Sequence, residues 1–198
     1  MKVKRMPVGV YAANCYILMD EDTKETAIID PGGDADEIKA VVDEMQGKVK
    51  YILLTHGHMD HTAAASELAK YYGAALGINK KDEMTSPRDF IAGSFYKKAD
   101  ISLQDGTTIK LGNNEIRCIE TPGHTAGGMS FLADGLLFTG DTLFSGSIGR
   151  TDLGGGNFDT IISSIRNKLM TLSDDTIVLP GHGGETTIKR ERMSNPFL

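Results

Sequence analysis

The residues best suited to chemistry in this chain are its histidines. There are five in 198 residues, and three of them share the stretch "THGHMDH", Thr55 to His61, with Asp60 between them. That stretch directly follows the apolar run "YILL". His124 follows "IRCIET" in "PGHT", His182 follows "TIVL" in "PGHG", and Asp141 closes "LLFTGD". A single histidine at a strand end is usually a solvated turn residue. Here each one follows an apolar run and a small or turn-forming residue, and independent coincidence does not explain that. If these strand ends share one edge of a core, the side chains converge on one cleft. Imidazole and carboxylate are the donors that borderline divalent cations such as zinc prefer. A single catalytic zinc takes three protein ligands and a water. His56, His58, Asp60, His61, His124, Asp141 and His182 are too many for one such ion, and suit two ions sharing a bridge.

Strands and helices interleave around these positions. "CYILM" and "TAIID" read as the opening strands, parted by a charged turn. Ile38, Val41, Val42 and Met45 then repeat at helical spacing, with Asp34 and Glu37 placed as a cap and Gly47 as the stop. "KYILLT" is a buried strand, "TAAASELAKYYG" a helix ending at Gly73, and "AALGI" another strand. "GNN" and "DG" punctuate two hairpins, "TIKL"/"IRCIET" and "GMSFLA"/"LLFTGD". Ile161, Ile165, Leu169 and Leu172 form one helical stripe after Asn157, an N-cap candidate. "TIVLP" is the last strand, before a short polar tail. No Pro- or Ser-rich linker interrupts the order, which predicts a single domain over residues 1–198.

Composition narrows the partners. An excess of acidic over basic residues, net charge −6, argues against nucleic acid, which requires a basic face. No stretch reaches membrane-spanning length, and the N-terminus reads as a first strand, not a targeting segment. Cys15 and Cys118 each sit in a strand-like run and are expected to be buried, reduced thiols of a cytoplasmic protein. Oligomeric state is not legible.

"THGHMDH", "PGHT", "TGD" and "PGHG", in that order and preceded by "IIDPGG", resemble the metallo-β-lactamase superfamily over nearly the whole chain. The resemblance implies an α+β fold, a four-layer αββα sandwich with helices outside two facing sheets and the site at one sheet edge. It also implies a division of the ligands. One metal would take His56, His58 and His124, the other Asp60, His61 and His182, with Asp141 bridging. Asp30 matches an early aspartate that supports the site from behind; read by itself, it is equally a strand-end turn residue. Zinc is the expected metal, with iron or manganese as alternatives.

Within the superfamily, "LFSGSIGRTDLGGGN" resembles the glyoxalase II group, thioesterases that hydrolyse S-acyl glutathione adducts such as S-lactoylglutathione. The longer members carry a C-terminal helical domain that grips glutathione. Little follows His182 here, so the resemblance extends to short single-domain relatives and to the thioester chemistry, not to the thiol carrier. The implied reaction is attack of a metal-bound hydroxide on the thioester carbonyl, with Asp60 orienting the nucleophile and taking its proton. A mononuclear Fe(II) persulfide dioxygenase of the same fold, held by His56, His124 and Asp141, is the alternative, and a lactonase is another. Arg150 and Asp152 read as a loop-holding ion pair ahead of a substrate-carboxylate site. The stretch 84–98, with Phe90, Phe95, Tyr96, Lys97 and Lys98, reads as surface or as a cover over the site. Lys189, Arg190 and Arg192 read as a solvated helix face or as anion-binding groups.

Overall fold

The computed structural model describes residues 1–83 and 98–198, so the 84–98 stretch, except for Lys98, lies outside the described residues. The first sheet contains β1 (Lys2–Val8), β2 (Ala13–Met19), β3 (Glu25–Ile29), β4 (Lys48–Leu53), β5 (Ala75–Ile78) and β6 (Ile101–Ser102), ordered as they occur in the chain. The second contains β7 (Thr108–Leu111), β8 (Asn114–Glu120), β9 (Met129–Ala133) and β10 (Leu136–Gly140). Beyond the small hairpin β11 (Leu143–Phe144) and β12 (Ser147–Ile148), it is completed by β13 (Ile177–Pro180) and β14 (Thr186–Thr187). Among the described residues the helices are α1 (Ala35–Met45), α2 (Met59–Thr62), α3 (Ala65–Tyr72), α4 (Phe158–Ser164) and α5 (Ile188–Ser194), with a π-helical turn over Ile165–Leu169.

The layering follows from the two-residue period of a strand. Every residue of β2 is buried, and alternate ones enter different cores. Cys15, Ile17 and Met19 pack with Ile38 and Val42 of α1 and Leu68 of α3. Tyr16 and Leu18 face the other way, into a cluster with Phe131 and Phe138 of the second sheet. Beyond that sheet, Ile119, Leu137 and Val178 pack against Ile161, Ile165 and Leu169. Helices, sheet, sheet and helices therefore stack as the four-layer α+β sandwich. Both cysteines are buried and unpaired. Among the described residues no helix is long and apolar enough to cross a membrane.

The structure corrects the sequence reading at several termini. Asp34 does not cap α1 through its side chain. It sits in the left-handed region at φ 49°, and its carboxylate accepts Gly9 N–H at 2.8 Å. The helix ends on Gln46, also left-handed, one residue before the expected Gly47. The helical segment expected after "THGHMDH" is instead two helices, a one-turn helix that begins inside the motif and carries Asp60 and His61, and then α3. The helix after Asn157 is capped as expected, with Asn157 Oδ1 accepting Thr160 N–H at 2.9 Å. It then widens into the π turn, where Met170 N–H reaches Ile165 O. The polar tail is a docked helix. Buried Glu191 accepts from Gly146 N–H at 2.9 Å and Thr186 Oγ1 at 2.6 Å. Arg192 pairs with Asp174 and donates to the carbonyls of Met170 and Leu172, so it is no free cation, whereas Lys189 and Arg190 are exposed.

At the end of the sandwich away from Asp30, one carboxylate ties the sheets together. Asp20, buried at the end of β2, accepts from Thr23 N–H and Thr23 Oγ1, both at 2.8 Å. It also accepts from Asn113 N–H at 3.1 Å and Asn114 Nδ2 at 2.6 Å, in the β7–β8 turn of the other sheet. The Thr23 amide leads these donors in holding its pKa well below the usual carboxylate range, against the opposing cost of burial. A depressed carboxylate pKa contributes stability above the unfolded value of about 4 and loses it as pH falls through the folded value. Asp20→Asn is therefore expected to lower the melting temperature by several degrees at pH 7. The gap to wild type should shrink below about pH 4, as thermal melts followed by circular dichroism across pH would show. An equal gap at pH 7 and pH 3 would count against a charged clamp.

Candidate metal centre

Parallel pairing brings the donors to one edge. β3 runs parallel to β4, and β10 to β13, so their C-terminal ends carry Asp30, the Thr55–His61 loop, Asp141 and His182 to the same side. The two sheets are joined there by backbone bonds, Met129 N–H to Thr55 O at 2.8 Å and Asn14 N–H to Gly181 O at 2.7 Å. Asn14 Nδ2 also donates to Pro180 O and Gly183 O at 2.9 and 3.0 Å. Tyr16 OH donates to Pro180 O at 2.7 Å. The His182 loop of the second sheet is thus held by β2 of the first.

All seven sequence-nominated residues converge, in two groups whose donor atoms lie within 4.8 Å of one another, with Asp141 between them. In the first, His58 Nδ1 lies 3.1 Å from His56 Nε2 and 2.9 Å from His124 Nε2. In the second, Asp60 Oδ2 lies 3.2 Å from His182 Nε2 and 3.6 Å from His61 Nε2. Asp141 spans the two, Oδ1 being 3.4 Å from His61 Nε2 and Oδ2 3.6 Å from His124 Nε2. The three-histidine group is the deeper one. His182 and Asp60 keep 33 % and 23 % of their side chains exposed.

Hydrogen bonds behind the ring select the tautomers. Thr55 Oγ1 gives its only proton to Asp30 Oδ2 at 2.6 Å, so it must accept from His56 Nδ1 at 3.0 Å. His61 Nδ1 meets the same Asp30 oxygen at 3.0 Å, and His124 Nδ1 meets Arg150 O at 2.7 Å. Each ring keeps Nε2 for the centre. Asp30, which also accepts Thr55 N–H at 2.7 Å, works from behind the ring; its proximity to His56 and His61 is a relay, not a third ligand cage.

The residues present fit divalent metals. His56 Nε2 and His124 Nε2 aim two lone pairs at one His58 nitrogen, which carries at most one proton. Among the described residues His61 Nε2 and Asp141 Oδ1 are buried without a hydrogen-bond partner; at 3.4 Å their contact has an ion-pair distance only. Burial, reinforced by neighbouring imidazoles, pushes the pKa values of His56 and His58 below the ordinary histidine value. Neutral imidazole is the ligating form. Burial also disfavours charge on His61, but Asp141 and Asp30 outweigh it and raise its pKa well above normal. The Asp60 hydrogen bond likewise raises that of His182, so protons compete with a cation more strongly at this half than at the inner one. Gly181 completes the cradle. A Cβ there would collide with Asp141 Oδ1 and lie 2.7 Å from His61 Cε1.

Arg150 and Asp152 form a bidentate pair at 2.7 Å through both contacts. The site uses Arg150 through its main-chain carbonyl. Sequence reasoning missed Thr55, whose place next to His56 was the available signal. It also missed Asn14, for which there was none. Thr55→Val keeps the shape but strands His56 Nδ1–H. Apparent zinc affinity, read by chelator competition, should fall about 10–100-fold and stability by roughly 1–3 kcal/mol. Thr55→Ser should preserve both.

Comparison with known proteins agrees with this geometry. Residues 8–182 match the family described as Metallo-beta-lactamase superfamily. The hydroxyacylglutathione hydrolase GloC of Haemophilus influenzae is 40 % identical, over 100 % of this chain and 98 % of that one. The BLEG-1 B3 metallo-β-lactamase structure is 34 % identical with a TM-score of 0.89, covering 99 % of each chain. The ETHE1 structure from Myxococcus xanthus is 27 % identical with a TM-score of 0.88, covering 99 % of this chain and 84 % of that one. A family match that spans most of the chain, and a relative 40 % identical along its whole length, carry the conclusion: the chain belongs to the metallo-β-lactamase superfamily.

Proposed function

We propose that this chain is a two-metal hydrolase that cleaves small-molecule thioesters of the S-lactoylglutathione type. His56, His58 and His124 would hold one divalent ion, and Asp60, His61 and His182 the other, with Asp141 shared. Zinc is the favoured metal. The observation that carries the reading is the complete set of seven donors around buried atoms that lack partners. The likeness to a hydroxyacylglutathione hydrolase along the whole chain supports the thioester. Such ions, when bound, supply an activated water and polarise a carbonyl oxygen.

The protein's own contribution is to place groups and accept a proton. Burial disfavours charge on Asp60, but the His182 hydrogen bond and His61 beside it hold its pKa down to about 2. It is therefore ionised at neutral pH and can orient a water by accepting its hydrogen bond; a base this weak would take the proton only from a water that bound ions had already acidified. The water oxygen bonds to the thioester carbon, the carbon–sulfur bond breaks, and sulfur leaves with the electron pair. A thiol of pKa about 8.5 leaves without a strong acid, which suits a cluster whose titratable side chains are all donors. The acidic chain, net −6, argues against a nucleic-acid partner, and two free, buried cysteines suit a small-molecule enzyme of the cytoplasm.

Asp141→Ala is expected to lose metal and activity together. Asp60→Asn should lose about 10²–10³-fold in kcat while keeping most of its metal by elemental analysis. Wild-type turnover by metal-free Asp141→Ala would sink the two-metal account. The second reading, an Fe(II) persulfide dioxygenase using His56, His124 and Asp141, draws on the likeness to ETHE1. A panel of S-lactoylglutathione, other thioesters, a lactone, a β-lactam and a persulfide, run on metal-analysed protein, decides between them. Thioester hydrolysis well above a metal-only blank is expected; oxygen uptake with persulfide and bound iron would replace the proposal.

A further inference from the structure

The three imidazoles of the inner group come from two separate loops, and the side chain that holds those loops together is not a donor to the centre. Asp82 lies in the turn after β5. Its Oδ2 accepts Gly57 N–H at 3.1 Å, and its Oδ1 accepts Gly127 N–H at 2.6 Å. Gly57 stands between His56 and His58, and Gly127 follows His124 by three residues. One carboxylate therefore cross-links the segments carrying all three inner rings, and hydrogen bonds to a charged acceptor are among the stronger ones.

The close approach of the backbones is a second, independent sign of the same device. A Cβ on Gly57 would lie 2.8 Å from Asp82 O, and one on Gly127 would lie 2.6 Å from Asp82 Oδ1 and 2.8 Å from Asp82 N. Both loops have glycine where they press on the Asp82 turn. The turn itself is braced. Asp82 N–H and Glu83 N–H donate to Asn79 O at 2.9 and 3.1 Å, and buried Asn79 donates to Glu120 Oε1 at 3.1 Å. Glu83 Oε1 accepts Ala99 N–H at 2.7 Å. Asp82 thus presents a fixed pair of acceptors to the two loops; on the Thr55–His61 loop its bond falls at Gly57, between the two inner donors and ahead of Asp60 and His61.

We propose that Asp82 is a positioning residue for the three-histidine half of the centre, setting that half's affinity for a divalent cation independently of the outer half. This rests on the metal-binding part of the proposed function and not on the identity of the substrate. The test is a zinc titration against a chromophoric chelator in two backgrounds. His182→Ala keeps the inner donors intact, and His58→Ala keeps the outer ones. Adding Asp82→Ala should weaken zinc about 10–100-fold in the first background and change it less than twofold in the second. Asp82→Asn, almost isosteric and able to accept only one of the two amides, should give an intermediate loss, and it serves where the alanine variant fails to fold. Equal losses in both backgrounds would show a general structural role and overturn the proposal, as would no loss in the first. A His182→Ala parent that binds no zinc would overturn the metal reading and this inference with it, whereas absent thioesterase activity alone touches only the choice of substrate.

Discussion

The buried Asp30 carboxylate is the constraint on which the site depends. It lies at the end of β3 in the left-handed region, φ 51°, and receives Thr55 N–H, Thr55 Oγ1–H and His61 Nδ1–H. A carboxylate is costly to bury unless such donors satisfy it. Once they do, it dictates the geometry in front of it. Through Thr55 it turns His56, and directly it turns His61, so one anion behind the ring orients an imidazole in each half. The parallel β3–β4 pair supplies the short reach this requires, since Asp30 N–H bonds to Leu53 O at 3.1 Å, just before the histidine loop begins.

The halves built on that anion differ. The inner one is a set of crowded, buried rings with two pKa values pushed down and its loops cross-linked by Asp82. The outer one contains the partly exposed Asp60 and His182, and neighbouring carboxylates raise the pKa values of His61 and His182. Asp141 belongs to both. Burial alone would raise its pKa, but His61 and the neighbouring rings keep it lowered, and it reaches them with opposite oxygens.

The donors were legible in the sequence because strand ends concentrate them. Every histidine followed an apolar run, and parallel pairing turned that one-dimensional pattern into a shared edge. The layers were legible only through the family resemblance, because β2 is apolar on both faces and its run does not say which core Cys15, Ile17 and Met19 or Tyr16 and Leu18 enter. What stayed hidden were contacts between segments far apart in the chain. Nothing near Asn14 indicates that its amide holds the His182 loop, and nothing near Asp82 indicates two glycine amides from different loops. Local cap reasoning misplaced Asp34 because a more distant amide, Gly9 N–H, captured its side chain. The docking of α5 was missed because its anchor, Glu191, reads as surface until Gly146, Thr186 and Asn195 surround it.

Asp20 acquires a wider meaning once the opposite end of the sandwich is considered. It pins the sheets together far from the centre, while Thr55–Met129 and Asn14–Gly181 pin them beside it. Sheets fastened at both ends cannot work as jaws. Any freedom to move then lies in segments hung outside the strands, of which the β1–β2 turn exposes Val10 and Tyr11. The turn is not independent of the centre, since Gly9 presses on Gly32, whose own backbone lies against that of Asp60, so a change of side chains at its tip can be felt at the outer donors.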